Sequence, residues 1–160
     1  MPFTPTGFYV AGVTDARADR KAVAYLLVPG TAPNAPAAVR PVDLQGGALP
    51  AIREYLRKSL PRNAKLRPVL IRLQEYRVTE SAGTGKGVNG EVAVAVSFHL
   101  KRRADTLDLV SYRGGIRYAR SPSQTATVEQ ALRQSLVVFQ FAVSMVLAVG
   151  VVVIYQQMKL

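Results

Sequence analysis

The longest apolar segment of the chain lies near its carboxyl end and predicts a transmembrane helix. Residues 136–155 carry no charged side chain. A helix of about 20 apolar residues spans a hydrocarbon core of roughly 30 Å, so this segment fits one crossing. A buried helix of a globular domain is the alternative interpretation, but the remainder of the chain is too small to enclose such a helix. We therefore expect one crossing within a helical segment at residues 131–160.

The first half of the chain shows two strand patterns and one helix pattern. Apolar residues at 8–14 and 22–28 predict strands, and residues 31–40, which contain two prolines, predict a loop. Over residues 48–60 apolar side chains recur at helical spacing, with charged side chains on the other faces. This pattern predicts an amphipathic helix.

The second half of the chain alternates as strands do. Residues 67–79, 91–100 and 107–118 predict three antiparallel strands in a meander. In the first of them the alternation places Leu73 on the apolar face and Tyr76 on the opposite face. In the second, valines point one way and small residues the other. Two adjacent glycines in the third predict a bulge or bend.

These patterns together predict an α+β fold. Its core is a small antiparallel sheet with packed helices in the order ββαβββα, and one transmembrane helix follows. The last helix of that order begins at Thr127. The length preceding the apolar segment allows one domain with its own core and not two. We therefore predict one domain at 1–130 and a helix at 131–160 that enters and spans the membrane.

The composition adds a strong basic bias. The chain has 21 Lys and Arg residues against 10 Asp and Glu residues, which gives a formal net charge of +11. This charge favours an anionic partner, which could be a phospholipid surface, a polyanionic envelope polymer or nucleic acid. The charge by itself does not choose among the three.

The candidate binding residues lie on the last two predicted strands and the turn between them. Basic side chains interleaved with aromatic ones on a sheet can bind single-stranded nucleic acid. They can also form a solvated face beside anionic lipid headgroups, and we favour this interpretation because the predicted membrane segment follows closely. A second membrane or envelope protein is the alternative partner. The candidate residues are Lys101, Arg102, Arg103, Tyr112, Arg113, Arg117, Tyr118 and Arg120.

The sequence offers no constellation for catalysis or for metal binding. The chain has no cysteine and a single histidine, His99, and a lone histidine on a strand is usually structural. The glycine-rich segment at 83–87 lacks the spacing of a phosphate-binding loop and precedes a strand. The aspartates near turns, such as Asp15 and Asp108, are ordinary turn residues. We expect no enzyme activity, metal or cofactor, and the sequence identifies no small-molecule substrate.

The predicted membrane helix carries a short polar face. Gln140 and Ser144 are four residues apart and therefore lie on one side of a helix. Polar groups of this kind favour contacts between helices over exposure to lipid.

Two parts of the chain resemble different families. Residues 132–159, LRQSLVVFQFAVSMVLAVGVVVIYQQMK, resemble the membrane-entry segment of FtsX/MacB-type ABC transporter permeases, especially those of Bacteroidetes. Residues 8–135 resemble YajG-like envelope lipoproteins and hypothetical envelope proteins, through a first strand that ends in Asp-Ala-Arg and through the order of elements. The first resemblance implies one piece of a permease, and the second implies a small envelope domain.

Function and location follow from the anchor and from the charge. We predict a non-enzymatic, membrane-anchored binding or assembly module of the bacterial cell envelope. The alternative is a fragment of an FtsX/MacB-like permease with a role in transport. Within about 20 residues of the membrane segment, Arg117, Arg120 and Arg133 precede it and only Lys159 follows it, which favours a single-pass inner-membrane protein with a cytoplasmic domain. A periplasmic domain is expected instead if a leader precedes the chain.

Overall fold

The computed structural model describes residues 7–30, 32–44, 46–60 and 62–121. Those residues form one six-stranded sheet with a helix packed against one face. In chain order the elements are β1 (Phe8–Asp15), β2 (Ala24–Val28), β3 (Ala38–Val42), α1 (Ala48–Ser59), β4 (Arg67–Ala82), β5 (Val88–Lys101) and β6 (Thr106–Arg120).

Strand β4 organises the sheet, because three other strands pair with it. The strand order is β3-β2-β4-β5-β6, and β1 joins the same edge of β4 as β2. Strand β1 runs parallel to β4 from Arg67 to Leu73, and β2 runs parallel to it at Val78 and Thr79. The β4–β5 and β5–β6 pairs are antiparallel, which confirms the predicted meander.

The predicted α+β class, an antiparallel sheet with packed helices in the order ββαβββα, is wrong. The described residues form a mixed, mostly β structure with one helix, in the order βββαβββ. The parallel pairing of β1 and β2 with β4 joins residues far apart in the chain, and local alternation does not encode it. Strand β3, which begins inside the predicted loop, contains Pro41. It lies at an edge of the sheet, where a proline without an N–H group is tolerated.

The predicted transmembrane component is also contradicted. Across the described ranges, no helix is long and apolar enough to cross a membrane. Helix α1 has 12 residues, about 18 Å in length, and its outer surface is charged, so it is shorter than a bilayer core. The predicted location as a single-pass inner-membrane protein with a cytoplasmic domain is therefore wrong. The predicted helix at 131–160, with Gln140 and Ser144, lies outside the described residues.

Helix α1 covers one face of the sheet, as its sequence pattern predicts. Ile52 and Leu56 are buried against the sheet, and each contributes about 1.5–3 kcal/mol through burial of apolar surface. Arg53 extends from the helix to donate a hydrogen bond to the Val13 carbonyl oxygen at 3.0 Å. The apolar face of the sheet, which includes Ile71 and Val94, forms the core beneath the helix.

The alternation of side chains along each strand, together with its register, determines which side chains face away from α1. In β5 the valines point into the core and the small residues point outward, which confirms the predicted alternation. In β4 the register shifts between Leu73 and Glu75, so Gln74 is an extra residue. The shift returns Tyr76 to the core, where it is 1% exposed. The prediction that Tyr76 faces away from Leu73 is therefore wrong, because simple alternation assumes a strand without a bulge.

Candidate functional site

The face of the sheet opposite α1 carries a row of arginines around small residues. We call it the open face, formed by outward-pointing side chains of β4, β5 and β6. Two depressions of about 600 and 300 Å³ lie along it and adjoin at Thr79 and Glu91. Arg117 lines the larger depression, and Arg77 and Arg113 line the smaller one. The open face is therefore a shallow, arginine-rimmed surface and not an enclosed pocket.

The charge on the open face is partly balanced. Glu75 accepts hydrogen bonds from Arg113 at 2.6 Å and from Arg77 at 3.3 Å. The Arg113 side chain is nevertheless 73% exposed. Arg117 lies across from Glu91 in the register of β5 and β6, but it forms no ion pair with any residue of the described ranges. Glu91 also lines both depressions, so three arginines face two carboxylates there, which leaves an excess of one positive charge facing outward.

The structure separates the predicted basic and aromatic residues into three groups. Of the predicted set, Arg113 and Arg117 lie on the open face. Tyr112, Tyr118 and Arg120 point to the opposite face, on the side of α1. The third group, Lys101, Arg102 and Arg103, lies at the turn between β5 and β6, and about 36 Å of extended strand separates this turn from Arg117. The set predicted from the sequence is therefore not one continuous surface.

Arg120 and Tyr118 hold three strands together through a buried carboxylate. The Glu80 side chain is 1% exposed and accepts hydrogen bonds from Arg120 Nη2 at 2.7 Å and Nε at 2.9 Å. The Tyr118 hydroxyl donates to the same carboxylate at 2.9 Å. The Leu27 N–H of β2 donates to Glu80 at 2.9 Å, and the Leu27 carbonyl oxygen accepts from Arg120. The network therefore joins β2, β4 and β6 at one end of the sheet.

The pKa values in this network follow from its contacts. Burial raises the pKa of Glu80, but hydrogen bonds from Arg120, from the Leu27 N–H and from Tyr118 lower it by more, so the pKa lies below its ordinary value. The hydrogen bond to Glu80 raises the pKa of Arg120. Burial, and then the hydrogen bond to Glu80, raise the pKa of the Tyr118 hydroxyl. The carboxylate and the guanidinium are thus held in their charged forms.

Glycines provide the space for both tyrosines. A Cβ atom at Gly90 would lie 2.0 Å from the Tyr118 ring, so this ring lies directly over Gly90 on the neighbouring strand. A Cβ atom at Gly114 would lie 2.3 Å from the Tyr112 hydroxyl oxygen. The predicted bulge at Gly114 and Gly115 is wrong, because the register of the β5–β6 pair shifts at Phe98 and His99. Both tyrosines therefore serve packing rather than recognition by the open face.

A hydrogen-bonded chain of Ser97, His99 and Asp108 lies on the open face. The Ser97 Oγ and His99 Nε2 atoms are 2.9 Å apart, and His99 Nδ1 lies 2.6 Å from Asp108 Oδ1. If Asp108 accepts the Nδ1 proton, Nε2 is free to accept the Ser97 proton. The order of groups is that of a catalytic relay. The sequence does not reveal this chain, because nothing in it marks the register shift that places Asp108 opposite His99.

The surroundings of this chain favour a structural role. Ser97 is 4% exposed, which restricts access to its hydroxyl, whereas the Asp108 side chain is 88% exposed. Neither depression of the open face includes Ser97. Ser97 and His99 belong to β5 and Asp108 to β6, so the bonds fasten two strands at their register shift. Within the described ranges, no group of three or more His, Cys, Asp or Glu side chains could hold a metal ion.

Comparisons with known proteins add little at the level of residues. The chain matches no protein-family model and no curated protein. It is similar to a minor lipoprotein from Acinetobacter baumannii, at 15% identity and a TM-score of 0.36, over 62% of this chain and 78% of that one. It is also similar to a DUF330 protein from Xanthomonas campestris, at 15% identity and a TM-score of 0.43, over 98% and 97% of the two chains.

These two structures agree in part with the predicted resemblances. One of them is described as a lipoprotein, in line with the predicted lipoprotein-like resemblance of residues 8–135. Neither is described as a transporter permease. At these TM-scores the likenesses assign neither a site nor an activity to this chain.

Proposed function

We propose that this protein is a non-enzymatic binding module of the bacterial cell envelope that binds anionic lipid headgroups through its open face. The observation that carries the proposal is the exposure of Arg77, Arg113 and Arg117 along two adjoining depressions. The assignment to the envelope comes from the sequence resemblance. The alternative function, as part of a permease, gains no support from either solved structure.

Arginine suits this role because of its shape and hydration. A guanidinium group is planar, remains charged and can donate two parallel hydrogen bonds to a phosphate group. Basic residues near an anionic membrane contribute about 1 kcal/mol each, and salt screens the attraction over roughly 10 Å. A face with a few exposed arginines is therefore expected to bind anionic membranes weakly and reversibly.

The proposal is tested by sedimentation of the full chain with phosphatidylglycerol vesicles and with phosphatidylcholine vesicles. The variant Arg113→Gln/Arg117→Gln removes two charges from the open face. The matched control Arg102→Gln/Arg103→Gln removes two charges from the distant turn. We expect the first variant to lose most of its binding to phosphatidylglycerol and the control to retain most of it.

Three outcomes would contradict the proposal. Equal loss in both variants would show that binding depends on net charge and not on the open face. Equal binding to both lipids would exclude recognition of anionic headgroups. Tighter binding to single-stranded nucleic acid than to phosphatidylglycerol would assign the surface to a different partner. Circular dichroism of each variant establishes that the sheet is intact.

A further inference from the structure

Strand β6 forms one edge of the sheet, and its outer side carries unpaired backbone groups. Within the described ranges, β5 is the only strand that pairs with β6. Prolines, lysines and bulges commonly protect such edges against further strands. Residues 110–120 contain no proline and no lysine, and the register shift of the β5–β6 pair lies before them. This part of β6 is therefore available for the addition of another strand.

The hydrogen bonds of the sheet show which residues of β6 present these backbone groups. The Val78 N–H donates to the Val23 carbonyl oxygen, on the side of β4 that faces β2. Val92 lies opposite Val78, so its backbone groups point the other way, to Ile116 of β6. Because this direction alternates along a strand, the odd-numbered residues of β6 present their N–H and C=O groups outward. These exposed residues are Ser111, Arg113, Gly115, Arg117 and Ala119.

Two of the outward residues make this edge basic. The side chains of Arg113 and Arg117 lie on the open face, and residues 110–120 contain no carboxylate. Arg113 remains 73% exposed although it contacts Glu75. In an added antiparallel strand, the residue directly opposite each arginine places its side chain on the same face, with the two Cα atoms about 5.5 Å apart. Carboxylates at those two positions would complement the charge of the edge.

The same charges disfavour a second copy of the chain as the added strand. Two antiparallel β6 strands would bring four of these guanidinium groups together along one edge, and residues 110–120 would supply no carboxylate. Like charges on neighbouring strands are destabilising, and the formal net charge of +11 adds repulsion between copies. The arginines therefore protect the edge against self-association and leave it available to an acidic strand.

The other face of β6 indicates what the alternate residues of the added strand are. Ile116 lies on that face and is 39% exposed. Tyr112, on the same face, is partly buried against the core. An apolar side chain opposite Ile116 would remove its exposed surface from water. The complementary strand thus has carboxylates on one face and apolar side chains on the other.

We propose that the outer edge of β6 binds an acidic, extended peptide segment of a partner protein as an added antiparallel strand. The carboxylates of the segment face Arg113 and Arg117, and its backbone pairs with the outward groups of β6. The site shares these two arginines with the open face, but it also requires the backbone edge, which headgroups do not use. The proposal therefore does not depend on the binding of lipid.

The test is calorimetric titration of the full chain with acetyl-Thr-Val-Glu-Val-Thr-Val-Glu-Val-Thr-amide. Its two glutamates have the spacing of Arg113 and Arg117. In the proposed register the glutamate N–H groups point to β6 and the valine N–H groups point away. N-methylation of both glutamates therefore removes two hydrogen bonds to β6, and we expect it to weaken binding by about tenfold or more. N-methylation of the two central valines is the matched control, and we expect little change.

The contribution of charge is measured with two variants of the protein. We expect Arg113→Gln/Arg117→Gln to weaken peptide binding by about tenfold or more and Arg102→Gln/Arg103→Gln, in the distant turn, to retain it. Absence of peptide binding to the unmodified chain would overturn the proposal. Equal effects of the two methylation patterns would do the same, because they would show that the backbone edge is not used. A dimer of the unmodified chain in analytical ultracentrifugation that the peptide dissociates would assign the edge to a second copy instead.

Discussion

Glu80 is the residue on which most of the interstrand polar contacts at one end of the sheet converge. It accepts from β2 and β6, and its own backbone belongs to β4. Two exposed ion-pair partners contribute little to stability, whereas a buried charge that loses its partner is costly. Arg120 binds the buried carboxylate of Glu80 and is a structural arginine. Arg113 binds Glu75, another carboxylate of β4, but it is itself exposed and is a surface arginine.

Replacement of Arg120 is expected to destabilise the protein strongly. In Arg120→Met the Glu80 carboxylate stays buried without its cation, which costs about 3–5 kcal/mol in the free energy of unfolding. Arg113→Met removes an exposed partner and is expected to cost less than about 1 kcal/mol. Urea unfolding followed by circular dichroism measures both values. Equal losses in the two variants would show that burial of Glu80 does not govern its contribution.

Acid is expected to weaken the same network. The pKa of Glu80 is lower in the folded chain than its ordinary value of 4.5, so the folded state binds the proton more weakly than the unfolded state does. Its contribution to stability is complete above that ordinary value and is lost as the pH falls through the lower folded pKa. Asp15 behaves in the same way beside Arg17. Urea unfolding across this pH range should show that acid lowers the free energy of unfolding less in Glu80→Gln than in the unmodified chain. An identical pH dependence in the two proteins would refute the contribution of Glu80.

The chain of Ser97, His99 and Asp108 gives a test of the non-enzymatic proposal. Because Ser97 is 4% exposed, we expect a fluorophosphonate probe to leave the protein unlabelled. Labelling that disappears in both Ser97→Ala and His99→Gln would identify a reactive serine and would contradict a purely binding function. Labelling that persists in Ser97→Ala would reflect another residue and would leave the structural role of the chain intact.

At the scale of elements, the close fit of β5 against β6 depends on a glycine. Gly90→Ala is expected to displace the Tyr118 ring and weaken its bond to Glu80, since the added Cβ atom would lie 2.0 Å from that ring. We expect a loss of about 1–3 kcal/mol, as for overpacking of a core. Gly87→Ala is the control, because its nearest neighbour would lie at 3.4 Å. Thermal unfolding should separate the two variants, and equal melting temperatures would contradict the packing of Tyr118 over Gly90.

Elements with strong local signals could be predicted from the sequence, and elements fixed by distant contacts could not. Helix α1 and the outward alternation of β5 follow from apolar spacing alone. The bulge at Gln74 and the register shift at His99 depend on the partner strand. Simple alternation therefore predicts neither the buried position of Tyr76 nor the pairing of Asp108 with His99. Strand β3 is exposed and contains Pro41, so its sequence resembles a loop.

At the scale of the whole molecule, the sheet separates the basic residues that the sequence places together. Strand β6 sends alternate side chains to opposite faces, so Arg113 and Arg117 reach the open face while Tyr112 and Tyr118 enter the packed side. The sequence identifies the residue types but not their faces, because the face depends on which side of β6 lies against the core. The length of β6 separates Arg113 and Arg117 from Arg102 and Arg103 at the turn, and these two pairs provide the charge-matched variants that test the proposed function.

The most direct test of the open face uses a single fluorescent probe on each side of the sheet. The chain has no cysteine, so one introduced cysteine gives one labelling site. Ser111→Cys places an environment-sensitive nitrobenzoxadiazole probe on the open face, and Lys58→Cys places it on the exposed surface of α1, where the lysine is 70% exposed. With phosphatidylglycerol vesicles we expect a blue shift of emission at position 111 and none at position 58. A blue shift at position 58 alone, or at neither position, would contradict binding through the open face.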